Sequence, residues 1–217
     1  VAEPSQIALP LAAPEHAGVR RIVVGPANAA VIEALQAPER WPFSVAVLTG
    51  PPRSGKSLLG HWAQGLHGAD RLEVIDDAER ADETALFHCW NAVQQGGTRE
   101  GGALLVIANV EGAEGGWRIA LPDLASRIGG SLQLAVQPPD DAMAGELMLA
   151  HAEQRGLTLP EGAADYLVPR TIRSFAAIEA LVAAIDRISL ERQTPATMSV
   201  WRAALEALHG PEQQRLF

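Results

Sequence analysis

At 217 residues and 47% apolar, the chain is long enough to bury one good core and reads as a single two-part unit rather than several independent domains. A formal net charge of −9 and a pI near 5.1 speak against a protein that grips nucleic acid by itself through a broad basic face, so nucleotides and protein partners are favoured. No stretch approaches the roughly 20 uninterrupted apolar residues that cross a bilayer, and the first residues lack the basic-then-apolar order of a secretion signal, so the expectation is a cytoplasmic protein with no membrane partner.

In chain order, residues 1–18 carry Pro4, Pro10 and Pro14 without helical or alternating periodicity, which predicts an extended arm outside the core. Ser44–Thr49 is a short apolar run ending at Gly50, suited to a buried parallel strand that feeds a turn and then a helix from Lys56. Leu72–Ile75, Ala103–Ala108 and Leu132–Val136 are further strand candidates, separated by helical segments at about 57–67 and 82–95 and a short one near 121–127. Strands alternating with helices imply an α/β fold, a parallel sheet with right-handed crossovers. The glycine-rich stretches 96–102 and 112–116 read as surface connections.

The pattern changes after Pro138-Pro139. No strand-like run recurs, and apolar residues such as Ile178, Leu181, Val182 and Ile185 fall at helical spacing, which predicts an all-helical subdomain. Its punctuation is Asp140-Asp141 and Ser174 as N-caps, Gly156 as a stop and Gly210-Pro211 as the end. The expected organisation is an arm over 1–18, a core over 19–138, a helical lid over 139–210 and a tail over 211–217.

The sole cysteine, Cys89, lies beside Phe87 and Trp90 in an apolar helical run and reads as a buried, inert thiol. None of the six histidines falls with cysteines or carboxylates at metal-ligand spacing. The chemistry concentrates in Gly50-Pro51-Pro52-Arg53-Ser54-Gly55-Lys56-Ser57, which satisfies the phosphate-loop pattern with a strand before it and a helix after it. Its glycines let backbone N–H groups turn onto phosphate oxygens, Lys56 neutralises the outer phosphates, Ser57 can hold Mg²⁺, and Leu58 follows in the helix. A P-loop site takes a second magnesium contact from an acid at the end of a neighbouring strand. Asp76 would hold the metal through water and Asp77 would orient an attacking water or sense the γ-phosphate; the bland alternative is a pair of capping aspartates.

Leu121-Pro122-Asp123-Leu124-Ala125-Ser126-Arg127 resembles the arginine-finger motif of the DnaA family of AAA+ ATPases, most closely its short Hda branch, which inactivates the initiator. Val24-Gly25-Pro26-Ala27-Asn28 is similar to that family's adenine-side motif, and Leu86-Phe87-His88 with Asn91 is similar to the helix after its Asp-Asp strand. The resemblance implies a P-loop AAA+ three-layer core with a helical lid, binding ADP or ATP with Mg²⁺, with Val24 and Asn28 beside the nucleotide. It implies that Arg127 is a finger acting in trans on a nucleotide held by a neighbouring subunit, where the bland alternative is a helix-capping arginine or one paired with Asp123. It also implies that Asn109 is the sensor-1 residue.

Two departures from the family pattern stand out. Arg173-Ser174-Phe175-Ala176-Ala177 has alanine where the second sensor arginine is expected, with Arg173 about one helical turn away. The segment between Ser57 and Asp76 is too short for the family's extra strand and helix, so a sheet reduced to about four strands is expected, in the order 132–136, 44–49, 103–108, 72–75. The missing sensor implies nucleotide binding with weak hydrolysis at the chain's own site. The chain as given ends with the lid, which implies no autonomous sequence-specific DNA binding.

Gln6-Ile7-Ala8-Leu9-Pro10-Leu11 resembles the peptide with which Hda-type and other replication proteins dock on the bacterial sliding clamp, the β subunit of DNA polymerase III, with Gln6, Leu9 and Leu11 as pocket-filling residues. Gln213, Leu216 and Phe217 near the C-terminus form a second such string, or else simply a frayed end. The resulting expectation is a negative regulator of replication initiation that meets DnaA at the clamp, with a homodimer possible. The alternatives are a helicase-loader-like or other AAA+ adaptor, and a small-molecule kinase with Asp76 or Asp77 as base.

Overall fold

The structure is a computed structural model, and residues 21–95, 102–110 and 117–209 are described. These divide into two compact units, residues 24–137 and residues 138–209 together with 21–23. The break after Gln137 falls at Pro138-Pro139. Arg21–Val23 go with the helical unit, where Arg21 pairs with Glu146 at 3.2 Å.

The first unit is a parallel sheet of four strands, β1 (Val45–Gly50), β2 (Leu72–Ile75), β3 (Ala103–Asn109) and β4 (Leu132–Ala135), in the order β2-β3-β1-β4. This is the order that the family resemblance implies. The two central strands are apolar along nearly their whole length because both faces are covered. On one face Val45, Val47, Leu104, Val106 and Ala108 pack with Leu86 and Val93 of α3 (Glu83–Gln94) and with Leu124 and Ile128 of α4 (Pro122–Gly130). The opposite face meets α2 (Lys56–His67) at Gly60, where an added β-carbon would lie 2.7 Å from Ile107 Cδ1 and 3.1 Å from Val74 Cγ1. Glycine there lets the helix that carries the phosphate loop lie close against the sheet. A short helix, α1 (Ala29–Leu35), buries Val31 and Leu35.

Parallel register decides what shares an edge. Val45 pairs with Leu104 and Gly50 with Asn109, and Ala46 pairs with Leu132. The strands therefore all begin at one end of the sheet and all finish at the other.

The second unit is helical: α5 (Asp141–Gln154), α6 (Ala163–Leu167), α7 (Phe175–Arg192) and α8 (Met198–His209). Its core is built from the predicted stripe Ile178, Leu181, Val182 and Ile185, packed with Met148, Leu167, Val200 and Ala204. The caps fall where the sequence places them. Asp140 Oδ1 accepts the Met143 N–H at 2.8 Å, Ser174 Oγ accepts the Ala177 N–H at 3.2 Å, and Gly156 takes a left-handed φ of 66° just beyond α5.

Gly60→Val is expected to cost roughly 1–3 kcal/mol, the usual penalty for overpacking a tight interface. Denaturant unfolding would register this as a lower midpoint at unchanged slope.

Candidate nucleotide site and arginine finger

At the finishing end of the strands, β1 runs into the loop 51–55 and then into α2. Gly55 takes φ 82° at the N-cap of that helix, a left-handed backbone that glycine adopts without a β-carbon penalty. A β-carbon at Gly50 would lie 3.2 Å from both Ser54 Oγ and Val136 Cβ, so that position is also closely enclosed. Lys56 is 4% exposed, and its ammonium donates to the Gly50 carbonyl at 3.0 Å, the Pro51 carbonyl at 2.7 Å and Ser54 Oγ at 3.3 Å. The cation is thus held inside the curl of its own loop, at the N-terminus of a twelve-residue helix whose unpaired N–H groups favour an anion. Arg53 and Pro52 lie on the exposed outer side of the loop, Ser57 and the half-buried Leu58 in the first turn of the helix.

Burial pushes the Lys56 pKa below its ordinary value, while the carboxylates of Asp76, Glu79 and Asp77 pull it back up. Below the lowered value the folded protein carries a buried charge. Between that value and 10.5 the unfolded chain holds the extra proton, so the folded form gains stability as pH rises through this window. Phosphate oxygens against the ammonium would favour its charged form and oppose the shift.

Asp76 and Asp77 follow β2 and are exposed. Asp77 takes a left-handed φ of 50°, and its N–H donates to Asp76 Oδ1 at 2.9 Å. Asn109, at the end of β3 beside Gly50, donates its side-chain amide to Asp77 Oδ1 at 3.1 Å and to Glu79 Oε1 at 2.7 Å, and its backbone N–H to Glu79 Oε2 at 3.0 Å. The two predicted residues Asp77 and Asn109 are therefore joined directly. Glu79 is the member that sequence reasoning missed. It lies in a short 3-10 turn, Ala78–Arg80, 30 positions from Asn109, and no motif marks it. Burial alone would raise the Glu79 pKa, but the backbone and side-chain hydrogen bonds from Asn109 outweigh it and hold the carboxyl below the ordinary glutamate value.

The Val24–Asn28 segment closes the same end. Asn28 is buried, its Oδ1 accepts the Gly25 N–H at 2.9 Å, and the Gln137 N–H donates to the Ala27 carbonyl at 3.0 Å. The Val136 N–H in turn donates to the Thr49 carbonyl at 2.9 Å, next to Gly50. Val24 is 63% exposed, an apolar side chain available to a flat ring. Gly50, Ser54, Gly55, Lys56 and Ser57 could therefore cradle phosphates, Ser57 and Asp76 could share a magnesium ion, and Asp77 with Asn109 would face the outermost phosphate.

Arg127 belongs to the opposite end. Its α4 precedes β4, and its guanidinium lies over the rings of Phe87 at 4.2 Å and Trp90 at 4.6 Å and donates to Asn91 Oδ1. It engages α3, not Asp123, among the described residues. Phe87, Trp90 and Asn91 share one helical stripe at i, i+3 and i+4. One turn earlier, Glu83 accepts the Ala120 and Leu121 N–H groups at 2.8 and 2.7 Å and fixes the entry to α4. Cys89 is half-buried rather than fully enclosed as the sequence suggests, and burial raises its thiol pKa above the ordinary value.

In the helical unit, Arg173 precedes α7 and pairs with Asp141 at 2.7 Å, both side chains being exposed. The two line an open cleft with Pro138, Pro139, Asp140 and Ala142. The tail residues Gln6, Leu9, Leu11, Gln213, Leu216 and Phe217, and most of the two glycine-rich stretches, lie outside the described residues.

A four-stranded parallel sheet with a phosphate-loop sequence after a central strand, acidic and asparagine side chains at the neighbouring strand ends, and a helical unit make up a fold of the AAA+ type. Residues 141–205 match the family model described as "Hda, lid domain". Domain III of the Thermotoga maritima replication initiation protein DnaA superposes with TM-score 0.70 at 15% identity, covering 89% of this chain and 97% of that one. DnaA from Aquifex aeolicus bound to AMPPCP matches with TM-score 0.57 at 14% identity, over 91% of this chain and 67% of that one. The Thermotoga maritima RuvB Holliday junction branch migration motor matches with TM-score 0.62 at 15% identity, over 88% and 73% respectively. Residues 141–205 are thus similar to an Hda lid domain, and the fold of the chain is that of DnaA domain III and other AAA+ proteins.

Because the folded Glu79 pKa is depressed, whatever stability its bonds to Asn109 add is fully present above the ordinary value of 4.5 and is lost as pH falls through the lowered folded value. Wild type and Glu79→Ala are accordingly expected to differ most in denaturation midpoint at neutral pH and to converge as the pH falls below the lowered folded value. A gap that stays constant from neutral pH down through the acid range would contradict this assignment.

Proposed function

We propose that this chain is a negative regulator of the initiation of chromosomal replication, which binds ADP or ATP with Mg²⁺ at Gly50–Leu58 and stimulates hydrolysis of the ATP held by DnaA. Val24 and Asn28 take the base side of the nucleotide, Ser57 and Asp76 the metal, and Asp77 and Asn109 face the terminal phosphate. Gln6, Leu9 and Leu11, with Gln213, Leu216 and Phe217 as a second string, dock on the sliding clamp. Arg127 enters the neighbouring subunit's site, where a guanidinium offsets charge developing on the γ-phosphate as water attacks it and ADP leaves.

The observation that carries this reading is the position of Arg127. It lies at the beginning end of the strands, while the chain's own phosphate loop follows their finishing end, six residues of β1 away. At about 3.3 Å per residue that is on the order of 20 Å, beyond the reach of an arginine side chain, so the cation serves a nucleotide other than its own. The lid match over residues 141–205 and the DnaA-like fold support DnaA as the owner of that nucleotide. The aromatic shelf under Arg127 is worth roughly 0.5–2 kcal/mol, enough to orient the guanidinium. Charge-assisted bonds to phosphate contribute roughly 1.5–3 kcal/mol each, so a partner's phosphates can draw it off.

With clamp, DNA and ATP-loaded DnaA present, the wild-type chain is expected to accelerate phosphate release. Arg127→Ala should return the rate to that of DnaA alone; full acceleration by that variant would remove the mechanism. Saturating Mg²⁺ with ADP or ATP should raise the melting temperature, by the equivalent of about 2.7 kcal/mol at 100 times Kd, and Lys56→Ala should abolish the rise.

A further inference from the structure

Phe43 and Ser44, the two residues before β1, take φ values of 56° and 53°. Neither is glycine, asparagine or aspartate, and two successive residues that carry a β-carbon in the left-handed region, one of them a bulky aromatic, form a disfavoured backbone, retained only where the surroundings impose it. That backbone does not carry the Phe43 ring inward: the residue is 56% exposed. It is nevertheless held in place. The Phe43 carbonyl accepts from Gln94 Nε2 at 2.5 Å, the ring packs on Trp90 with centroids 5.9 Å apart, and a β-carbon at Gly130 would lie 3.5 Å from its edge.

The same Trp90 ring lies under the Arg127 guanidinium. Phe43, Trp90 and Arg127 are thus one continuous surface, assembled from the turn before β1, the middle of α3 and the end of α4. Gln94 extends the α3 stripe of Phe87, Trp90 and Asn91 by one further turn, so a single helix face orders both the cation and the exposed ring. A strained backbone that keeps a large aromatic in water beside a functional cation fits a residue that is buried on association, the geometry of an interface anchor.

We propose that Phe43 anchors this chain to the AAA+ subunit whose nucleotide Arg127 reaches, its ring entering an apolar pocket next to that subunit's phosphate site. The proposal rests on the trans reading of Arg127 given above and commits to DnaA as the occupant. Phe43 acts in docking and positioning; it does not touch the reacting phosphate.

The test titrates full-length chain against ATP-loaded DnaA with clamp and DNA, reading complex formation by fluorescence anisotropy and phosphate release in parallel. Phe43→Gly keeps the left-handed backbone without strain while removing the ring. It is expected to raise the half-saturating concentration at least tenfold, to leave the saturated rate within twofold and to leave the melting temperature of the free chain unchanged or higher. Phe43→Tyr should restore tight binding. Arg127→Ala should differ from it in losing the saturated rate, whatever its own effect on binding. An unchanged half-saturating concentration for Phe43→Gly overturns the proposal, as does a loss confined to the saturated rate, which would make the ring only a support for the shelf. Sedimentation showing that Phe43→Gly dissolves a dimer of this chain while DnaA binding persists would assign the surface to a second copy and overturn it too. If the wild type binds DnaA without accelerating hydrolysis, the catalytic reading fails and the binding titration still decides Phe43; if it does not bind DnaA, both fail.

Discussion

The pairing of β1 with β3, from Val45 opposite Leu104 to Gly50 opposite Asn109, is the constraint on which the arrangement of the core depends. Because the ladder is parallel, chemistry at the end of one strand is brought to the end of the next without any contact between the segments in sequence. Lys56, Asp76, Asp77 and Asn109 arise from three separate strand ends and meet at one edge. Antiparallel pairing would have sent Asn109 to the other end of the sheet and left the phosphate loop without its neighbour.

The same register separates the two charged devices of the unit. Lys56 is buried at the finishing edge, where desolvation lowers its pKa and carboxylates partly restore it. Arg127 lies at the beginning edge on an aromatic surface, tied to α3 by Phe87, Trp90 and Asn91. One cation is built into a cradle and the other is displayed. That division is set by backbone topology more than by any single side-chain bond.

Helix α3 links these features across the sheet. Its stripe from Glu83 to Gln94 fixes the entry to α4, the Arg127 side chain and the carbonyl of Phe43, while Leu86 and Val93, on the adjoining face, are buried in the core. Periodicity makes such a helix easy to recognise, yet it does not say which polar members of the stripe will find partners. The reason is distance along the chain: Asn91 meets Arg127 across 36 positions, and Gln94 meets Phe43 across 51.

What the amino-acid sequence determines by itself is local. The phosphate loop, the four strands, the caps Asp140 and Ser174 and the stripe Ile178–Ile185 are each written within a few consecutive residues, because glycine conformations, N-cap hydrogen bonds and 3.6-residue periodicity act at that range. The resemblance of Leu121–Arg127 to a finger motif is likewise contiguous. The tertiary structure decides the rest. Glu79 bridges to Asn109, Arg127 turns onto Phe87 and Trp90, and Phe43 stands exposed on a left-handed backbone that no glycine announces. Each of these is imposed by long-range packing, which fixes side chains and dihedrals only after the sheet has brought distant segments together.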